Sequence, residues 1–338
     1  MNIKIVSVFL ISILLLVCVV SLMIGAYPIE LKAILQIIFR FNTQDIYPTD
    51  QTVLLQVRLP RLIMAAFIGS ALAICGAVIQ GLFRNPLADP GLIGISTGAM
   101  LFVIFTIVFG GFWLSKELQV YALPVSGFIG ACLVTFLVYR LATTDNHTDI
   151  TIMLLAGIAI SALGGALTGI IIYMADDNQL RDITFWSMGS LANLGWGDVL
   201  FAGPILFICS VILYRFSTPL NLMLMGESVS KHSGVDVVKL KKQIIVLVAI
   251  MVSICVCLSG IIGFVGLVCP HIVRLLVGPD HRKVISLSAI LGALMMAIAD
   301  VVSRTLISPA ELPIGIITAL IGAPFFMWLL VEQKKRLR

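Results

Sequence analysis

Three stretches hold the residue types most able to do work. Arg58 and Arg61 stand at the mouth of a long apolar run, and Arg304 stands four residues after Asp300 at the end of another. Paired charges at such a rim can steer docking and fix register. Locally, they could instead snorkel to an interface, or Arg304 could pair with Asp300 one helical turn away. Tyr173, Met174, Arg181, Phe185, Trp186 and Met188 mix aromatic, thioether and guanidinium groups just after an apolar run. The plainer alternative has Asp177 or Asp182 pairing Arg181, with Phe185 and Trp186 in an interfacial aromatic belt. Leu224-Met225-Gly226-Glu227, continuing to Gly234-Val235, sits in a polar stretch from Arg215 to Lys242. That stretch reads as one or two short amphipathic helices suited to a docking partner, against the plainer reading of a surface loop.

Other chemistry is thin. No GxxxxGK[ST] loop occurs, so ATP, if it drives this chain, is hydrolysed on another subunit. His271 has no His or Cys/Asp cluster near it to complete a metal site. The seven cysteines lie in or beside apolar runs without a CxxC and read as small packing residues. Arg84-Asn85-Pro86 reads as a helix-ending turn. An intramembrane enzyme would need a catalytic constellation at depth, and a proton- or sodium-coupled carrier an ionisable group at mid-membrane. Asp300 is the only acidic residue near the interior of a span, and ionisable residues inside the spans are scarce. A passive channel would have no use for the long 215–242 segment.

The elements that must position these residues follow from composition. The 338 residues are 60% hydrophobic and 12% charged, against roughly 25% charged in an ordinary soluble domain. With a mean hydropathy of +1.11, the apolar exterior calls for lipid. About 20 apolar residues span a bilayer as a helix. On that count about ten spans are expected: 5–24, 62–82, 92–109, 121–141, 150–174, 199–214, 244–258, 261–276, 284–302 and 314–331. The first reads as a retained helix rather than a signal peptide. The chain is expected to be one all-α transmembrane domain over 1–338, both termini on one side. Lys239, Lys241, Lys242, His281-Arg282-Lys283 and the basic 334–338 tail make that side cytoplasmic. Lys32, Arg40, Arg58 and Arg61 then fall outside, against the charge rule. Gly94/Gly98 and Gly165/Gly169 have GxxxG spacing, read as tight packing within one subunit.

Four groups of residues resemble the iron-siderophore, haem and vitamin B12 permease family (FecCD type) of bacterial ABC importers. They are Val57-Arg58-Leu59-Pro60-Arg61 with Gly69, Gly76, Gln80 and 84–90; Leu224-Met225-Gly226-Glu227 with Ser233-Gly234-Val235; 263–267 with Pro270-His271-Ile272-Val273-Arg274, Gly278 and Asp280-His281-Arg282; and Asp300–Arg304 with 311–315 and 322–326. Their order covers most of the chain from the second span onward.

The resemblance implies a type II ABC importer permease in a bacterial inner membrane. It implies a second permease copy (homodimer), two ATP-binding cassette subunits, a periplasmic substrate-binding protein, surrounding lipid and no nucleic acid. The chain itself would not be an enzyme and would hold no resident cofactor, with ATP on the partner subunits. Arg58, Arg61 and Arg304 would meet glutamates of the binding protein. Leu224, Met225, Gly226, Glu227, Gly234 and Val235 would couple to the ATPase. The 173–191 stretch is most similar to the haem branch. There the aromatic and Met side chains suit a porphyrin and Arg181 a propionate; a ferric siderophore or vitamin B12 is the alternative cargo.

Overall fold

The computed structural model describes residues 3–39, 47–113, 115–144 and 147–336. Arg40 and the terminal Leu337-Arg338 lie outside the described residues. The helices are α1 (Ile3–Met23), α2 (Leu31–Phe39), α3 (Pro48–Thr52), α4 (Leu59–Leu82), α5 (Ile95–Phe109), α6 (Lys116–Leu141), α7 (Ile150–Tyr173), α8 (Asp177–Met188), α9 (Trp196–Arg215), α10 (Ser217–Leu224), α11 (Glu227–His232), α12 (Val237–Ser259), α13 (Val265–Val277), α14 (His281–Thr305) and α15 (Ile314–Arg336). A hairpin pairing β1 (Thr143–Thr144) with β2 (His147–Thr148) joins α6 to α7.

Among the described residues, eight helices are long and apolar enough to cross a membrane, and two shorter apolar ones, Val265–Val277 and Ile314–Leu329, bring the set to ten. The break between the seventh and eighth spans falls where expected, with α12 ending at Ser259. Several boundaries differ from the sequence reading, among them the start of α12, at Val237 rather than 244, and two that shape the site. Helix continues upstream of α4 through a π-helical turn, Val53–Arg58, to Pro48, giving one 35-residue span. Pro60 has no N–H to give, and the wider π turn accommodates it. The third span starts later, at Ile95. Residues 84–94 first form an Asx turn, with Asn85 accepting from the Leu87 N–H at 2.9 Å, and a 3-10 turn capped by Asp89. Gly94, at φ +82°, then turns the chain into α5.

Carboxylates set the starts of several helices. Asp149, Asp236 and Asp280 accept backbone N–H bonds at the starts of α7, α12 and α14, and Asp176 with Gln179 forms a capping box on α8. Asp280 is held below the usual carboxylate range, first by its hydrogen bond from Asn221. A depressed folded-state value stabilises above the unfolded value, and that contribution is lost as pH falls through the folded one.

Packing is uneven. α4 is the central helix, 78% buried along its span, whereas α7 is 17% buried. α4 meets α14 so closely at Gly69 and Gly292 that a Cβ on either would overlap the other's carbonyl. It meets α13 at Gly76, where a Cβ would overlap the Gly266 carbonyl, while Gly266 faces the Leu72 carbonyl. Without water, such backbone approach is a main source of helix–helix attraction. Gly98 likewise packs on Gly130 of α6, but Gly165 and Gly169 have nothing within 4 Å. The second GxxxG therefore does not pack within the chain, which corrects the expectation above.

Replacing Gly69 or Gly292 by Ala should lower stability by about 1–3 kcal/mol through overpacking. Gly197→Ala, with open space around it, should leave stability unchanged or slightly raised. Thermal unfolding of the purified protein in detergent would show the difference.

Candidate functional site

At one end of the bundle, α1 stops at Met23, and its last carbonyls keep acceptor capacity that the helix itself does not use, as at any helix C-terminus. Arginines from two other helices fill them. Arg58 donates to the Leu22 carbonyl at 2.6 Å, to Met23 at 3.1 Å and also to Tyr27. Arg304 donates to Ser21 Oγ at 2.9 Å and to the Ser21 and Ile24 carbonyls. Positive charge there also opposes the negative end of the helix dipole. Asp300, 1% exposed, accepts from Arg61 Nε at 2.8 Å and Arg304 Nε at 3.0 Å. Glu311 takes the other two nitrogens of Arg61 at 2.9 Å each. The i,i+4 alternative for Arg304 is thus realised. Arg58, Arg61 and Arg304 are 6%, 4% and 8% exposed. They are not free rim charges but an internal brace joining α1, α4, α14 and the segment before α15. That gives Arg58 and Arg61, two of the four cations placed against the charge rule, an internal role.

The same end carries α8. Its N-terminus is fixed by Gln179, whose amide reaches the Val108 carbonyl of α5 at 3.2 Å. Its C-terminus is fixed by the Gly189 carbonyl, which accepts from Ile314 N, and by Ser190 N donating to Ser259. Helical phase then sorts the side chains. Ile183 is buried with Ile104 and Val108, and Trp186 packs against the main core. Arg181, Phe185 and Met188, at i, i+4 and i+7, share the exposed face. Tyr173 and Met174, at the end of α7 just before α8, are also exposed. Trp186 is therefore a packing residue rather than a lining one. Arg181 makes no ion pair among the described residues, so the Asp177 or Asp182 pairing is not realised.

At the opposite end, α10 and α11 lie between α9 and α12. Asn221 holds α10 to the start of α14: its amide donates to Asp280 at 2.8 Å, and its oxygen accepts from His281 N at 2.8 Å. Gly226, at φ +117°, turns the chain between α10 and α11, and Gly234, at φ +85°, turns it out of α11. Leu224 and Met225 are exposed, as a docking edge requires. Val235 is not part of that edge, because it packs against the core; Val229, absent from the sequence reading, is exposed in its place. Glu227 turns inward to Lys241, 2.7 Å away, with Arg84 at 3.9 Å. Sequence reasoning missed Lys241, which it grouped with its neighbours as a topology signal. Its spacing from Val237, Ile244, Ile245 and Val248, all buried, places it on the inward face of α12. His271 packs edge-on against Phe325, with ring centroids 6.1 Å apart.

Comparison with known proteins agrees with this architecture. The profile of the FecCD transport family matches residues 13–332. The hemin transport system permease HmuU of Yersinia pestis is 42% identical over 83% of this chain and 84% of its own. The cobalamin import system permease BtuC of Halobacterium salinarum is 38% identical over 85% of this chain and 76% of its own. A solved ABC transporter in an inward-facing conformation superposes with a TM-score of 0.85 at 36% identity, covering 98% of this chain and all of that one.

Removing Asp300 would leave two buried guanidinium groups short of their shared carboxylate. Asp300→Asn should cost about 3–5 kcal/mol. Glu311→Gln, at a side chain 38% exposed, should cost about 1 kcal/mol or less. Paired thermal melts in detergent read the difference; equal losses would contradict the brace.

Proposed function

Since this chain belongs to the FecCD transport family, as an ABC importer permease that works with ATPase and substrate-binding partners, we propose that its cargo is haem. The observation that carries this is the exposed face of α8. Phe185, Met188, Tyr173 and Met174 offer an aromatic and thioether surface that matches a porphyrin, and the unpaired Arg181 matches a propionate. The likeness to a hemin permease over most of both chains supports it. The likeness to a cobalamin permease makes vitamin B12 the competing cargo.

In this reading the chain sits in a bacterial inner membrane, with both termini and α10–α11 in the cytoplasm and α8 facing the periplasm. A binding protein delivers haem at α8. Two ATP-binding cassette subunits receive Leu224, Met225 and Val229, and all hydrolysis happens on them. The chain holds no resident cofactor and is not itself an enzyme. Docking of the binding protein onto Arg58, Arg61 and Arg304 would require its carboxylates to displace the groups already on them, and at Arg61 the partly exposed Glu311 is the exchangeable one. The exposed face of α7, with Gly165 and Gly169 open, receives a second copy of the chain, so the pathway runs between two α7 helices. Movement of ATPase subunits then rocks the copies between outward- and inward-open forms.

Proteoliposomes holding the chain with its ATPase and binding protein should accumulate haem with ATP, and Arg181→Ala should cut the rate by about tenfold, the loss of one charge-assisted pair. Accumulation of cobalamin or a ferric siderophore in place of haem would overturn the cargo. Gly169→Phe should convert the detergent-solubilised permease from dimer to monomer by native mass measurement; an unchanged dimer would move the seam off α7.

A further inference from the structure

Lys241 is, among the described residues, the most buried cation at the α10–α11 end, with its side chain 3% exposed. Its Nζ donates to the Thr148 carbonyl at 3.0 Å and lies 2.7 Å from Glu227 Oε1. Three pieces of chain therefore meet at one ammonium. α12 carries it, α11 begins with Glu227, and Thr148 directly precedes Asp149, whose carboxylate caps α7 through the N–H groups of Thr151 and Ile152. Beside this junction lies a cavity of about 340 Å³ lined by Phe83, Arg84, Thr148, Asp149, Glu227 and Lys241. The ion pair joins α11 to α12, and the hydrogen bond to the Thr148 carbonyl carries the junction on to the start of α7. Arg84, 44% exposed and 3.9 Å from the carboxylate, is the solvated outer contact.

We propose that Lys241 is the positioning residue that carries ATPase-driven displacement of α11 to α7. This rests on the importer reading above. Glu227 is the first residue after the Gly226 turn, so movement at the exposed Leu224-Met225 edge moves its carboxylate directly. Lys241 is held out of water and cannot trade Glu227 and the Thr148 carbonyl for solvent at low cost, whereas Glu227 is 24% exposed. The receiving helix is lightly packed within its own chain, buried along only 17% of its span, so its displacement is taken up at the seam with the second copy. Its far end carries Tyr173 and Met174 and leads into α8. The junction thus links the ATPase-facing edge to the cargo-facing surface through one helix.

The test uses the whole complex in proteoliposomes and reads cargo moved per ATP hydrolysed. Lys241→Met is expected to assemble with the ATPase and to hydrolyse ATP, while the transport ratio falls by about tenfold. Lys241→Arg, which keeps the charge and the donors, is expected to restore most of the ratio. A wild-type ratio in Lys241→Met overturns the relay. If that variant does not assemble, Glu227→Gln decides, because it leaves Lys241 on the Thr148 carbonyl: an unchanged ratio overturns the relay, and a tenfold fall supports it. The double variant is expected to be no worse than either single one, whereas additive losses would mean two independent contacts. The wild-type complex is measured first; failure to move haem, cobalamin or a ferric siderophore with ATP overturns the importer reading, and the relay with it.

Discussion

Two helix backbones touch at Gly69 and Gly292, and most of the molecule is arranged around that contact. Lipid gives apolar helices no reason to leave it, so association rests on close packing and on polar groups satisfied between helices. α4 exploits both. It lies against α14 through Gly69 and against α13 through Gly76, and it sends Arg58 and Arg61 to carbonyls and carboxylates at one end. At the other end Gln80 donates to the Gly266 and Leu267 carbonyls and accepts from Arg274. The result is a block of α1, α4, α13 and α14 in which charge and backbone are both accounted for. α5, α6 and α7 form a second block, with Gly98 against Gly130, and α12 packs between the two.

This division gives the functional surfaces their character. The rigid block supplies the brace at the mouth and the latch from Asn221 to the start of α14. The second block carries α7, the least buried of the long internal spans, and through it the α8 surface. α12 touches both blocks and holds the ammonium at which Glu227 of α11 meets the start of α7. A permease must change shape without coming apart. A molecule with one densely packed half and one lightly held helix meets both demands.

Much of this was legible in the sequence. The spans could be read because lipid-facing and core-facing residues are alike apolar, which leaves runs about a membrane thick. The break near Ser259 and the apolar pair Leu224-Met225, which the structure leaves exposed, were also visible. Partner identities were not. Arg61 meets Asp300 and Glu311 across more than two hundred residues of chain, and nothing local distinguishes an arginine waiting for another protein from one already paired. Other misses had a signal. Asp176 and Gln179 have capping-box spacing, and reading α8 from that start puts Trp186 and Ile183 opposite Arg181, Phe185 and Met188. The apolar period through Val237, Ile244 and Val248 places Lys241 inward in the same way.

The account turns on α7 moving against a fixed α4–α14 block when the ATPase closes. Spin labels at Val57 and Leu306, both exposed and both on the block, and a second pair at Val57 and Tyr173, which joins the block to the end of α7, would report it. Pulsed dipolar distances in the assembled complex, with and without a non-hydrolysable ATP analogue, should shift for the second pair and stay constant for the first. A change within the block, or none between the block and α7, would contradict the account.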